Sequence, residues 1–147
     1  MADPTSALTV QRYDAQFGTN VIGHYLLTTL LLPSLCASTA VTGIKARVVH
    51  TSSDGHAMAP GAGIEWDSLK VGAERDGRVR GWGMMAAWTL YGQSKMGNVL
   101  YAKWLNRRHG ANVVSSSIHP GILDTNLGAN TPKWQMAILR AMTWPKE

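Results

Sequence analysis

A chain of 147 residues has the length of one ordinary domain, and with 45% hydrophobic and 16% charged residues it is globular rather than disordered. Its formal charge is +5, but the loose basic groups at Arg75–Arg80 and Lys103–Arg108 accompany no binding module, so they read as solvated faces and exclude nucleic acid as a partner. Cys36 is the only cysteine, which excludes an intrachain disulfide and fits a reducing, cytoplasmic setting.

The first residues, Met-Ala-Asp-Pro-Thr-Ser, lack the basic segment and apolar core of a signal peptide. Asp14 to Leu32 predicts a long helix, because Phe17, Ile22, Tyr25, Leu26, Leu30 and Leu32 recur at roughly helical spacing. Pro33 predicts its end. Within it, the apolar run Val21–Leu32 is shorter than the ~20 residues a membrane span needs, so a buried helix is expected and no span. Ala46–Thr51, with Val48 and Val49, predicts a buried strand that ends in the loop Ser52-Ser53-Asp54-Gly55.

Residues 56–87 are Gly-rich, with Pro60 and mixed charges. They predict a long connection with one short helix, of the kind that is functional or mobile. Trp88 to Arg108 is helical by pattern, with Met96, Val99, Leu100, Trp104 and Leu105 as apolar positions and Gly110 as the stop. Asn112–Ile118 predicts a second strand, broken by His119-Pro120-Gly121, and Trp134–Met142 a final amphipathic helix. Strand, helix, strand is the crossover unit of α/β proteins with parallel sheets.

Tyr91-Gly92-Gln93-Ser94-Lys95 carries the strongest chemical signal. On a helix, positions four apart share a face, with Cβ atoms about 5–6 Å apart, so Tyr91 and Lys95 point the same way. A free phenol has a pKa of about 10 and is a poor base at neutral pH. A neighbouring ammonium favours the phenolate and eases proton exchange. Interconversion of an alcohol and a carbonyl needs such a group, to give or take the hydroxyl proton as hydride moves. Ser53 and Thr125 follow the two strands at their carboxyl ends, where open α/β sheets bind ligands. Asn20 lies in the first helix. The histidines, at 24, 50, 56, 109 and 119, show no metal-ligand spacing and read as core or surface residues.

Asn20, Ser53, Tyr91 and Lys95 stand in the order of the Asn-Ser-Tyr-Lys tetrad of the short-chain dehydrogenases/reductases, which this sequence resembles over about residues 10 to 130. The words Phe-Gly-Thr-Asn-Val-Ile-Gly-His-Tyr-Leu-Leu-Thr, Arg-Val-Val-His-Thr-Ser-Ser, Tyr-Gly-Gln-Ser-Lys and His-Pro-Gly-Ile-Leu-Asp-Thr look like its retinol-dehydrogenase-like branch. The resemblance implies that Tyr91 exchanges the proton, and that Lys95 lowers its pKa and holds the nicotinamide ribose. By the same resemblance Ser53 orients the substrate carbonyl, and Asn20 holds Lys95 through a water-linked proton path. Pro120, Gly121, Ile122 and Thr125 would border the nicotinamide. The cofactor is NAD or NADP, and the substrate an alcohol or carbonyl compound, apolar in character.

The resemblance also implies what precedes these words: strands, a Gly-rich turn and a helix whose amino end receives the pyrophosphate. Only 19 residues precede Asn20 here. Residues 1–147 are therefore expected to be the C-terminal catalytic portion of one Rossmann-like domain, truncated before the nucleotide-binding strands and before the last strand. Gly77, Gly81 and Gly83 match the spacing of the family's Gly-rich turn but lie between Ser53 and Tyr91 with no strand before them, so they read as a loop near the substrate entrance. Two strands alone would bare edges and apolar faces, which predicts a marginal fold that takes a partner. Self-association through the helices at 14–32 and 88–108 is one such expectation. A non-catalytic fragment that serves as an interaction module is the rival reading. A serine hydrolase built on Ser53 and Lys95 lacks the Gly-x-Ser-x-Gly elbow.

Overall fold

In a computed structural model of the chain, residues 3–121 are described. The expected helix at Trp134–Met142 lies outside them, as do Ile122 and Thr125.

The helical run opens at Asp14, whose carboxylate accepts the Phe17 N–H at 2.9 Å and so caps α1 (Ala15–Phe17). A wide π-helical turn at Gly18–Gly23 follows, and then α2 (His24–Thr42). Pro33 does not end this run, contrary to the expectation: the helix continues to Thr42 and stops at Gly43, whose φ of 69° closes it in the left-handed conformation. A proline here removes one hydrogen bond, to the Thr29 carbonyl four residues back. Thr29 and Pro33 are both exposed, so water can take up that carbonyl.

The expectation of a buried helix at Val21–Leu32 also fails. Thr28 is the one buried residue of α2, while Leu26, Leu27, Leu30 and Leu31 are 48–69% exposed. The helical stretch Ala15–Thr42 is long and apolar enough to cross a membrane by length and composition. Its first part packs instead on protein: a Cβ on Gly97 would stand 2.7 Å from a Val21 methyl and 3.4 Å from the Phe17 ring.

β1 (Ala46–Thr51) and β2 (Val113–Ile118) pair in parallel, with Ala46 opposite Val113 and Thr51 opposite Ile118. The connection between them holds α3 (Ala73–Gly81) and α4 (Ala86–His109), as well as short 3-10 turns at Asp54–Met58, Trp66–Ser68 and Gly83–Met85. Strand, helix and parallel strand thus form the crossover that the sequence predicts. Gly77 and Gly81 lie within α3, so the expected loop there is a helix. Its acidic first turn (Glu74, Asp76) and basic last turn (Arg78, Arg80) both suit the helix dipole. Gly110 does end α4, but in the right-handed conformation.

One sheet face packs on α4, through His50 on β1 and Val113 and Ser115 on β2, all buried. On the other face, among the described residues, Val49, Val114 and Ile118 are each about half exposed. A smaller core of Phe17, Ile64 and Leu69 lies under the connection, with Tyr13, Val21 and Met96 against it. The outer edge of β2 meets α4 itself: the Asn106 side chain donates to the Ser115 carbonyl and accepts the Ser115 N–H at 2.7 Å.

Candidate functional site

The two strands end side by side, and α4 starts beside them. Ser53 follows β1 and caps the turn at Asp54–Met58, its hydroxyl accepting the Gly55 N–H at 3.1 Å. This turn seats on the Tyr91 ring, because a Cβ on Gly55 would lie 2.7 Å from a ring carbon. Gly92 has the matching requirement. A Cβ there would stand 2.7–2.8 Å from the Met58, Ala59 and Gly55 backbone, so only glycine lets α4 approach so closely.

Tyr91 is 5% exposed and its phenol lies beside the Ser53 side chain. Trp88, one turn earlier, meets the Tyr91 ring edge to face at 6.2 Å between centroids. Burial pushes the phenol above its ordinary pKa, and the neighbouring Ser53 works against that rise. Lys95 stands one turn on, its Nζ 5.7 Å from the Tyr91 ring centroid. The ammonium donates to the Thr51 carbonyl at 3.1 Å, at the very end of β1, and burial pushes its pKa down. Desolvation rather than the Lys95 charge therefore moves the phenol most.

Asn20 sits in the π-helical turn, a form often found at functional positions. Its Nδ2 donates to Ser94 Oγ at 3.0 Å, and that hydroxyl donates to the Tyr91 carbonyl at 2.8 Å. Asn20 thus reaches the turn of α4 that carries Tyr91 and Lys95, through a serine between them. Pro120 and Gly121 follow β2 and are exposed, and Gly121 has a φ of 84° with nothing within 4 Å of a Cβ position. The structure therefore gathers Asn20, Ser53, Tyr91 and Lys95 at the carboxyl ends of the strands, with Pro120 and Gly121 at the neighbouring end.

Several supporting residues escape a reading of the sequence. Ser94 and Gln93 lie inside the Tyr91–Lys95 word but bond across 74 and 25–28 positions, respectively, which no local pattern marks. Asn98 Nδ2 donates to the same Thr51 carbonyl as Lys95, at 3.0 Å, and Ser52 Oγ donates to the Lys95 carbonyl at 2.9 Å. His119 ties the two strand ends together: its Nδ1 accepts the Asp54 N–H at 3.4 Å and its Nε2 meets the Asp54 carboxylate at 3.2 Å.

A parallel crossover defines an α/β protein, and the hydroxyl, phenol and ammonium groups at its strand ends make the sheet's carboxyl edge the candidate ligand site. The chain is 43% identical over 128 residues to a short-chain dehydrogenase/reductase of Armillaria gallica, an alignment that covers 86% of this chain and 38% of that protein. It is 36% identical over 134 residues to the chloroplastic short-chain dehydrogenase TIC 32 A of Brassica napus (89% and 38% covered). It is 32% identical over 140 residues to an uncharacterized oxidoreductase of Schizosaccharomyces pombe (93% and 38% covered). These likenesses support a place among the short-chain dehydrogenases/reductases. The chain spans about two fifths of the length of these relatives. No family model matches it, and no solved structure matches it significantly.

Proposed function

We propose that this chain carries the catalytic residues of an NAD(P)-dependent oxidoreductase that interconverts an alcohol and a ketone or aldehyde. One observation carries the reading: the buried Tyr91 phenol meets the Ser53 hydroxyl at the end of β1, with Lys95 one turn further along the same helix face. The described residues suit the nicotinamide-ribose end of the cofactor. Lys95 offers a cation for the ribose, and the open left-handed turn at Gly121 leaves room beside Pro120 for the nicotinamide. Ile122 and Thr125 complete that border in the proposal. When bound, NAD or NADP supplies the hydride acceptor or donor.

The chain's own residues handle the proton. Ser53 hydrogen-bonds the substrate oxygen and Tyr91 gives or takes the proton at that oxygen. Lys95 holds positive charge beside the phenol, which steadies the phenolate while the proton is away. Asn20 braces this turn of α4 through Ser94. Burial holds the Tyr91 phenol above its ordinary pKa, so it carries its proton at neutral pH and can give it to a carbonyl oxygen. An apolar substrate of the retinol-dehydrogenase-like kind suits the exposed Met84 and Met85 just before α4, and cytoplasmic residence with a lone Cys36 completes the reading.

The test is a titration of the purified chain with NADH and NADPH, following nicotinamide fluorescence, with Lys95→Ala as control. Saturable binding weakened by Lys95→Ala supports the reading. No binding by protein that is folded by circular dichroism overturns it for this chain.

The bare outer face of α2 favours a second reading, an interaction module that self-associates through α2 and α4. Tyr25, Leu26 and Leu30 on α2 and Leu100 and Trp104 on α4 are all 45–69% exposed. Tyr25 and Trp104 face each other across the helix pair at 6.5 Å between centroids, so the two helices offer one apolar surface.

A further inference from the structure

Arg75 is an arginine that has left water. It sits on α3, in the connection between Ser53 and Tyr91, and is only 4% exposed. Its guanidinium donates to the Thr5 carbonyl and lies 3.7 Å from Asp14 Oδ2, and Asp14 is 1% exposed. A buried pair of this kind costs much desolvation, and removal of one partner leaves an uncompensated charge. Arg75 Nε is buried without a hydrogen-bond partner, so the pair is held by Asp14 and Thr5 rather than by a full set of bonds.

Asp14 does more than balance the charge. Its other oxygen caps α1 through the Phe17 N–H, and its own N–H donates to the Leu69 carbonyl at 2.7 Å. Tyr13 bridges Lys70 in the same zipper, and the Val71 N–H donates to the Arg12 carbonyl at 3.0 Å. Two residues past the cap, Gln16 Nε2 donates to the Ala87 carbonyl at 3.1 Å, in the first turn of α4. The π-helical turn with Asn20 begins directly after Phe17. The place where this helical run starts thus fixes where Asn20 stands opposite Ser94.

We propose that Arg75 is a positioning residue: by holding the Asp14 cap, it couples the order of α3 to the placement of Asn20 against Ser94. The connection and the site then form one mechanical unit, and loosening α3 displaces the Asn20 side chain. A catalytic role for Asn20 rests on the reading above, so the test follows the side chain itself and not turnover.

The experiment is NMR on the 15N-labelled chain, with the side-chain amide signals of Asn20 as the readout and those of Asn98, which bonds the end of β1, as the internal reference. The principal variant is Asp14→Asn with Arg75→Met, which buries no charge and keeps an oxygen for the Phe17 cap. Amide protection across 73–81 is expected to fall roughly tenfold, about what one lost charge-assisted hydrogen bond amounts to. The Asn20 signals are expected to shift while those of Asn98 stay in place. Arg75→Lys keeps a buried cation and is expected to give a smaller shift in the same direction; it carries the test alone if the double variant does not fold. Asn20 signals that hold still while α3 loosens, or that move no more than those of Asn98, overturn the proposal. Nucleotide binding enters neither result.

Discussion

Tyr91 shows how one side chain can carry both a stability and a chemical consequence. Its phenol is raised above the ordinary value of 10.0, first by burial, with Ser53 opposing. An unfolded phenol loses its proton near pH 10, whereas the buried one keeps it to higher pH. The unfolded state therefore gains from ionisation first, so this part of the stability is whole below pH 10 and is lost as the pH rises through the folded value. Urea unfolding followed from about pH 8 to about pH 11 is expected to show a falling midpoint that Tyr91→Phe flattens. Tyr101, also raised by burial, accounts for part of what remains. An unchanged slope in Tyr91→Phe would mean that the phenol is not held as described. Under the proposed function, the same substitution is expected to lower turnover about 10²–10⁴-fold, the usual share of a general acid, with nucleotide binding retained. Tyr91, Lys95, Ser53 and Asn20 are legible in the sequence because each belongs to a short word and the words come in a known order. Ser94 and Arg75 are not. Their partners lie 74 and 61–70 positions away, and only the folded chain brings them together.

Both strands and α4 are legible as elements, because β-branched runs and a helical apolar repeat mark them to within a residue or two. α2 is misread in two ways. Pro33 signals a stop that a solvent-facing turn can absorb, and an apolar run signals burial that the described residues do not provide. α3 is legible only in part: one short helix is expected in the connection, but Gly77 and Gly81 point to a loop at its place, and the Arg75–Asp14 and Arg78–Glu65 pairs that tie it down are tertiary contacts. Glycines separate cleanly at this scale. Gly92→Ala is expected to cost about 1–3 kcal/mol, because its Cβ meets backbone of the Asp54–Met58 turn that cannot swing aside. Gly77→Ala, inside α3 with nothing within 4 Å, is expected to stabilise by about 0.4–1 kcal/mol. Chemical denaturation of both variants checks the contrast. Equal effects would mean that α4 does not rest on that turn.

Taken whole, the described chain is a single crossover with one sheet face covered and much apolar surface outside. The outer face of α2 has no Asp, Glu, Lys or Arg: between Asp14 and Lys45 the sequence contains none of them. If the helix pair is where copies meet, Leu26→Lys with Leu30→Lys is expected to leave a monomer at concentrations where the parent chain sediments as a larger species. The substituted residues are half exposed or more, so folding is expected to survive. A parent chain already monomeric would remove the self-association reading. The sheet's two edges differ in a related way. The amide of Asn106 occupies the outer side of β2 at Ser115, acting there as a strand one residue long, while Arg47 and Val49 on β1 lie at the opposite edge. On the β1 edge, Lys95 and Asn98 hold the last carbonyl, that of Thr51, so among the described residues side chains plug the β2 edge at its middle and the β1 edge at its carboxyl end, and side chains rather than strands set where either edge can be extended.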